Sequence, residues 1–157
     1  GGLIVPDLER DVLWLAVVNR YRPEPPALAL IKGFGLRHGA LASSVAHDSH
    51  NIVAVGCDAE TLSAAINGLI ECQGGIACVS ESGFASLPLP IAGLMSDQPI
   101  EAVRDNLDRL SAAARDLGTP GDPFMALSFL ALPVIPSLKL TDLGLVDVDR
   151  FEIVGLY

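Results

Sequence analysis

Five polar residues in a row, His47-Asp48-Ser49-His50-Asn51, stand between two small apolar runs, Ala40 to Ala46 and Ile52 to Val55. An imidazole beside a carboxylate is the minimum for an oriented general base. Two imidazoles and a carboxylate at one turn are also a partial metal-ligand set, but short of a complete one without further ligands. The same hydroxyl, amide and carboxylate groups can read the donors and acceptors of a ligand or of a neighbouring surface. The plainest alternative is a turn in which Asp48, Ser49 and Asn51 bond their own backbone.

The elements that position this cluster are read from the flanking pattern. The runs Ala40 to Ala46 and Ile52 to Val55 read as buried strands, so the polar residues form the tip of a strand-turn-strand unit. His47 and His50 would share a face on a helix, but here the turn geometry decides. Upstream, Val12 to Asn19 lacks polar alternation and reads as a strand buried on both faces. A proline-rich loop, Tyr21 to Pro26, leads to a strand at Ala27 to Lys32 and a glycine turn at Gly33-Phe34-Gly35.

Downstream, Asp58 suits the N-cap of a helix from Ala59 to about Cys72, with Leu62, Ala65, Ile66, Leu69 and Ile70 as its apolar stripe. Gly74-Gly75 ends it, and Ile76 to Ser80 with Gly83 to Leu87 predicts a hairpin. Leu87 to Asp97 is an apolar loop stiffened by Pro88 and Pro90. Asp97 is read as the cap of a second helix, Pro99 to Leu117, with Ile100, Val103, Leu107, Leu110, Ala114 and Leu117 inward. Phe124 to Leu132 fits a strand or a short buried helix equally well. Pro133 to Pro136 is another stiff apolar loop. Leu138 to Thr141, Leu145 to Val148 and Phe151 to Leu156 close the chain as strands. The expected class is α+β: a mixed or antiparallel sheet of about eight short strands packed with two main helices.

With 157 residues, the chain 1–157 reads as one domain able to bury a real core. A net charge of -9 and no basic stripe argue against nucleic acid as a partner. The three cysteines form no CxxC and read as small apolar residues of a reducing compartment. Cys57, between a strand end and a helix start, could stabilise a thiolate or simply be buried. The longest uncharged stretch, Pro123 to Leu138, contains three prolines and cannot span a membrane. The start at Gly1 shows no secretory signal, and a cytoplasmic location is expected. Half of the residues are apolar and the mean hydropathy is +0.45, so part of the surface is expected to be covered by another domain or subunit.

Several long runs carry a family resemblance. Gly33-Phe34-Gly35-Leu36, Ser43 through Asn51, Leu87 through Asp97, Pro123 through Pro136, Lys139 through Asp142 and Gly144 through Val148 resemble, in the same order, the C-terminal domain of bacterial adenine deaminases. The resemblance covers the chain from about Leu13 onward. It implies membership of an amidohydrolase-superfamily enzyme that hydrolyses adenine to hypoxanthine and ammonia in purine salvage. The family's metal-dependent (β/α)₈ barrel, with manganese or iron, belongs to an N-terminal part that is absent from this chain.

A barrel needs roughly 250 residues, and the three histidines, His38, His47 and His50, include no His-x-His pair. No metal ligand is therefore carried over, and no metal is expected on this chain. The resemblance further implies that the isolated fragment is inactive, that the missing N-terminal barrel is its partner, and that the whole enzyme binds adenine and is a homo-oligomer. Within that frame His47, Asp48 and His50 are candidates for an accessory catalytic role, and Ser43, Ser44, Ser49 and Asn51 for substrate contact. The alternative is a structural or oligomerisation module, working through the loops Leu87 to Asp97 and Pro133 to Pro136.

Overall fold

Strands apolar on both faces need cover on both sides, and the chain supplies two different covers for one sheet. The structure, a computed structural model, describes residues 4–156, so the reading of the chain's first three residues lies outside the described residues. The strands are β1 (Val12–Val18), β2 (Ala27–Lys32), β3 (Ala40–Ser43), β4 (Ile52–Gly56), β5 (Gly75–Ser80) and β6 (Gly83–Pro88). They form one antiparallel sheet in the order β2-β1-β4-β3-β5-β6.

Helix α1 (Ala59–Glu71) lies over β3, β4 and β5 on one face. The sheet is lined there by Ala16, Ala40, Ala42, Ala54 and Ala77, small enough for Leu62, Ala65 and Leu69 to seat closely. Asp58 caps the helix by accepting from the Thr61 N–H at 2.8 Å. The other face is divided among three covers. Helix α2 (Ile100–Asp116) packs on β5 and β6, and α3 (Pro123–Ser128) on β3 and β4. A second antiparallel sheet, β7 (Leu138–Thr141), β8 (Gly144–Asp147) and β9 (Glu152–Val154), packs on β1 and β2. Leu13, Leu15, Val17, Leu41, Val53 and Val55 fill this larger core.

The α+β reading holds: among the described residues there are nine strands in two antiparallel sheets and two main helices. The ambiguous run from Phe124 is helical at its start, because Pro123 presets the first turn and Asp122 accepts from the Met125 N–H at 3.0 Å. Asp97 does not cap α2. Pro99 stays extended at the N-cap position, which leaves Asp97 outside the helix, accepting instead from the Gln98 side chain at 2.9 Å. The buried stripes are narrower than the periodicity suggested: Ile70 and Ile100 are exposed. One glycine is indispensable to the entry into β3. Gly39 has φ +74°, and a Cβ there would lie 2.2 Å from the Val79 carbonyl oxygen.

Candidate functional site

Strands β3 and β4 pair from Ala40↔Gly56 to Ser43↔Val53, and the chain between them, Ser44 to Asn51, makes the polar tip. The tip is closed by its own backbone, with the His50 N–H donating to the Ala46 carbonyl at 2.7 Å. Helix α3 holds it from one side. The His47 N–H donates to the Ser128 carbonyl at 2.8 Å, and the His47 ring stands edge-on to Phe129, centroids 5.0 Å apart. The two imidazoles also meet edge-on, at 6.1 Å.

The end of β1 holds the tip from the other side. Arg20 Nη1 donates to the His50 carbonyl at 2.9 Å and Nη2 to the Ala92 carbonyl at 2.8 Å, so one guanidinium joins the tip to the proline-stiffened loop. The Arg20 N–H donates to Asn51 Oδ1 at 3.2 Å, and the Tyr21 hydroxyl donates to the Ser49 carbonyl at 2.8 Å. Asn19 Nδ2 donates to Asp142 Oδ2 at 2.7 Å and ties the β7–β8 turn to the same splint. The sequence reading missed Asn19, Arg20 and Tyr21. The available signal was a polar run placed directly after a strand buried on both faces.

The predicted site residues separate by environment. Ser44 is fully buried, its Oγ donating to the Gly93 carbonyl at 2.6 Å and accepting from the Gly75 N–H at 2.8 Å. Ser43 Oγ accepts from the Val45 N–H at 3.0 Å, and Asn51 is buried beneath Arg20. These three side chains are bonded within the domain. Asp48 and Ser49 are exposed, and His47 and His50 are half-buried. His50 has φ +52°, and its Nδ1 is buried with no hydrogen-bond partner among the described residues.

Two cavities flank the tip. One, of about 270 Å³, is lined by Ser43, His47, Ser111, Asp122, Phe124 and Ser128 among others. The other, of about 420 Å³, places Asp48, Ser49, Thr141 and Asp142 around apolar walls that include Leu132 and Val146. His47 thus faces one cavity while Asp48 and Ser49 face the other. A few polar groups around a largely apolar concavity is the usual build of a small-molecule site.

The two buried thiols, Cys57 and Cys78, are poor nucleophiles. Burial pushes Cys57 up to about 11, with the nearby carboxylates of Asp58 and Asp11 adding to it, and burial alone pushes Cys78 up to about 11. Among the described residues no three His, Cys, Asp or Glu side chains lie together so as to hold a metal. No helix among them is long and apolar enough to cross a membrane.

With this geometry in view, the relatives are informative. Residues 1–152 match the family model of the adenine deaminase C-terminal domain. The chain is 51% identical over 159 aligned residues to an adenine deaminase of Syntrophobacter fumaroxidans, covering 99% of this chain and 28% of that protein. It is 56% identical to an adenine deaminase of Salinibacter ruber, covering 99% of this chain and 29% of that protein. With an adenine deaminase of Brucella abortus it shares 52% identity over 97% of this chain and 27% of the relative. The chain thus spans less than a third of the length of the curated relatives it matches. It belongs to the adenine deaminase C-terminal domain family.

Proposed function

We propose that this chain is the C-terminal domain of an enzyme that hydrolyses adenine to hypoxanthine and ammonia, and that it supports or caps an active site formed by the preceding part of the polypeptide. The observation that carries the reading is the match of residues 1–152 to a domain found at the C-terminal end of adenine deaminases, supported by relatives above 50% identity. The manganese or iron that the resemblance implies would be held by the preceding barrel. The reading carries with it a cytoplasmic, oligomeric enzyme of purine salvage.

The tip's part is positioning. Adenine presents an exocyclic amino donor and ring-nitrogen acceptors. The Asp48 carboxylate can accept from the amino group, and the Ser49 hydroxyl can donate to a ring nitrogen. His47, held by Phe129 and Ser128, lines the other cavity, so any proton it passes is on that side of the tip and apart from the Asp48 and Ser49 contacts. The Arg20 splint keeps these groups in place without help from the substrate, as an accessory wall requires.

Adenine-dependent ammonia release, with manganese added, tests the division of labour. Activity of the barrel-containing polypeptide and none from this chain alone is the expected result. Ammonia release by this chain alone would overturn it and make His38, His47 and His50 the first metal-ligand candidates.

A second reading, a structural or oligomerisation module without substrate contact, is favoured by Val134 and Ile135, which stand 66% and 41% exposed in the Pro133 to Pro136 loop. It requires that Val134→Asp halve the particle mass of the longer polypeptide while leaving its specific activity per folded subunit unchanged.

A further inference from the structure

The larger apolar surface lies away from the tip, along β2. Leu28 and Leu30 lie opposite Ala16 and Trp14 of β1, on the sheet face that carries α1, while Ala29 and Ile31 point to the other face. All four line one cavity of about 580 Å³, which therefore runs along the outer edge of the strand. Every lining residue is apolar, and Leu138, Leu140 and Leu145 of the second sheet contribute its far wall. Among the described residues β2 pairs only with β1, so its outer backbone N–H and C=O groups have no ladder partner. An apolar groove along an open strand edge invites pairing, and natural proteins cover or charge such edges. On β2 the charge stands at one end, in Lys32, while Leu28 and Leu30 remain 44% and 38% exposed.

The first described residue, Ile4, and the last, Leu156, both line this groove. In the relatives nearly three quarters of the polypeptide lies outside the matched part, and the match is to a C-terminal domain. A polypeptide preceding Ile4 would therefore approach near the groove. Val5 and Leu8, shortly after Ile4 in the chain, are 62% and 47% exposed.

We propose that the preceding part of the same polypeptide docks here, with an extended apolar segment added along the edge of β2 and its side chains seated between Leu30 and Leu138. Strand addition supplies partners for the open backbone groups, and the leucines supply the buried area. The inference rests on the reading that a catalytic part precedes this domain.

The test places a photoreactive p-benzoylphenylalanine at Leu30 in the barrel-containing polypeptide. That side chain is partly exposed, so the replacement leaves the core of this domain intact. The protein is prepared as a mixture of isotopically light and heavy chains, irradiated and mapped by peptide mass. Cross-links within one chain to residues upstream of Ile4 are expected. Cross-links joining light to heavy chains would assign the groove to a second copy, and the absence of any cross-link would leave the edge open to solvent. Either outcome overturns the proposal. Adenine deamination by the unmodified polypeptide is measured in parallel. An upstream cross-link without deamination would sink the functional reading alone, and deamination without the cross-link would sink the interface alone.

Discussion

The Arg20 guanidinium reaches across from the end of β1 to donate to the His50 carbonyl at 2.9 Å, and its second nitrogen reaches the Ala92 carbonyl at 2.8 Å. Two segments that share no ladder hydrogen bond are thereby fixed to one planar group. Arg20→Ala is expected to destabilise the fold by about 2 kcal/mol, in the range for charge-assisted hydrogen bonds. Arg20→Lys should recover less than half of that loss, because an ammonium cannot reproduce the fork. Denaturant midpoints of the three proteins check the order. Equal midpoints would show that the splint is dispensable.

Ser44 separates a structural role from a binding one. Its hydroxyl satisfies the buried Gly75 N–H and Gly93 carbonyl at once. Ser44→Ala should cost about 1–3 kcal/mol, since both groups lose a partner. In the barrel-containing enzyme KM for adenine should not change. A raised KM with unchanged stability would assign Ser44 to substrate contact.

Gly39 is the position least open to substitution on the path into the site. A methyl group there meets the Val79 carbonyl oxygen at 2.2 Å and must also adopt φ +74°. Gly39→Ala is expected to lower stability by at least about 2 kcal/mol. Urea unfolding measures it, and a loss under about 0.5 kcal/mol, the size of an ordinary surface change, would contradict the packing described.

The buried thiols predict a stability loss on the alkaline side. Burial raises Cys57 and Cys78 from 9.0 to about 11 in the folded chain. Between those values the unfolded chain has released protons that the folded chain still holds. Their contribution is therefore complete below pH 9 and is lost as the pH rises through 11. Urea midpoints recorded across this window should fall less steeply in Cys78→Ala than in the parent. In the folded protein at pH 8, a thiol reagent should modify the half-buried Cys72 well before the other two.

Much of this architecture is written in local pattern. The unbroken apolar runs at Val12 and Ile52 gave two interior strands, β1 and β4, and Asp58 with Leu62, Ala65 and Leu69 gave α1. The β5–β6 hairpin followed from its turn, where Ser80 pairs with Gly83. Long-range contacts leave no such trace. Nothing periodic links Arg20 to His50, 30 residues away, or Asn19 to Asp142, 123 residues away. The short helix at Phe124 was ambiguous because six residues are too few to show a 3.6-residue period. The tip was legible as a cluster, whereas the division of its side chains between two cavities and the interior depended on turn geometry that sequence does not display.

Asp48 offers the most direct test, because it is exposed, lines the cavity beside the tip and makes no side-chain hydrogen bond among the described residues. Replacing it leaves the fold untouched, so a rate change reports on function alone. The measurement is kcat/KM for adenine in the metal-loaded, barrel-containing polypeptide, parent against Asp48→Ala. A fall of at least about tenfold, equivalent to about 1.4 kcal/mol of transition-state stabilisation, with an unchanged unfolding midpoint, is expected if the tip forms part of the active-site wall. An unchanged kcat/KM would contradict that claim and leave the domain a structural module.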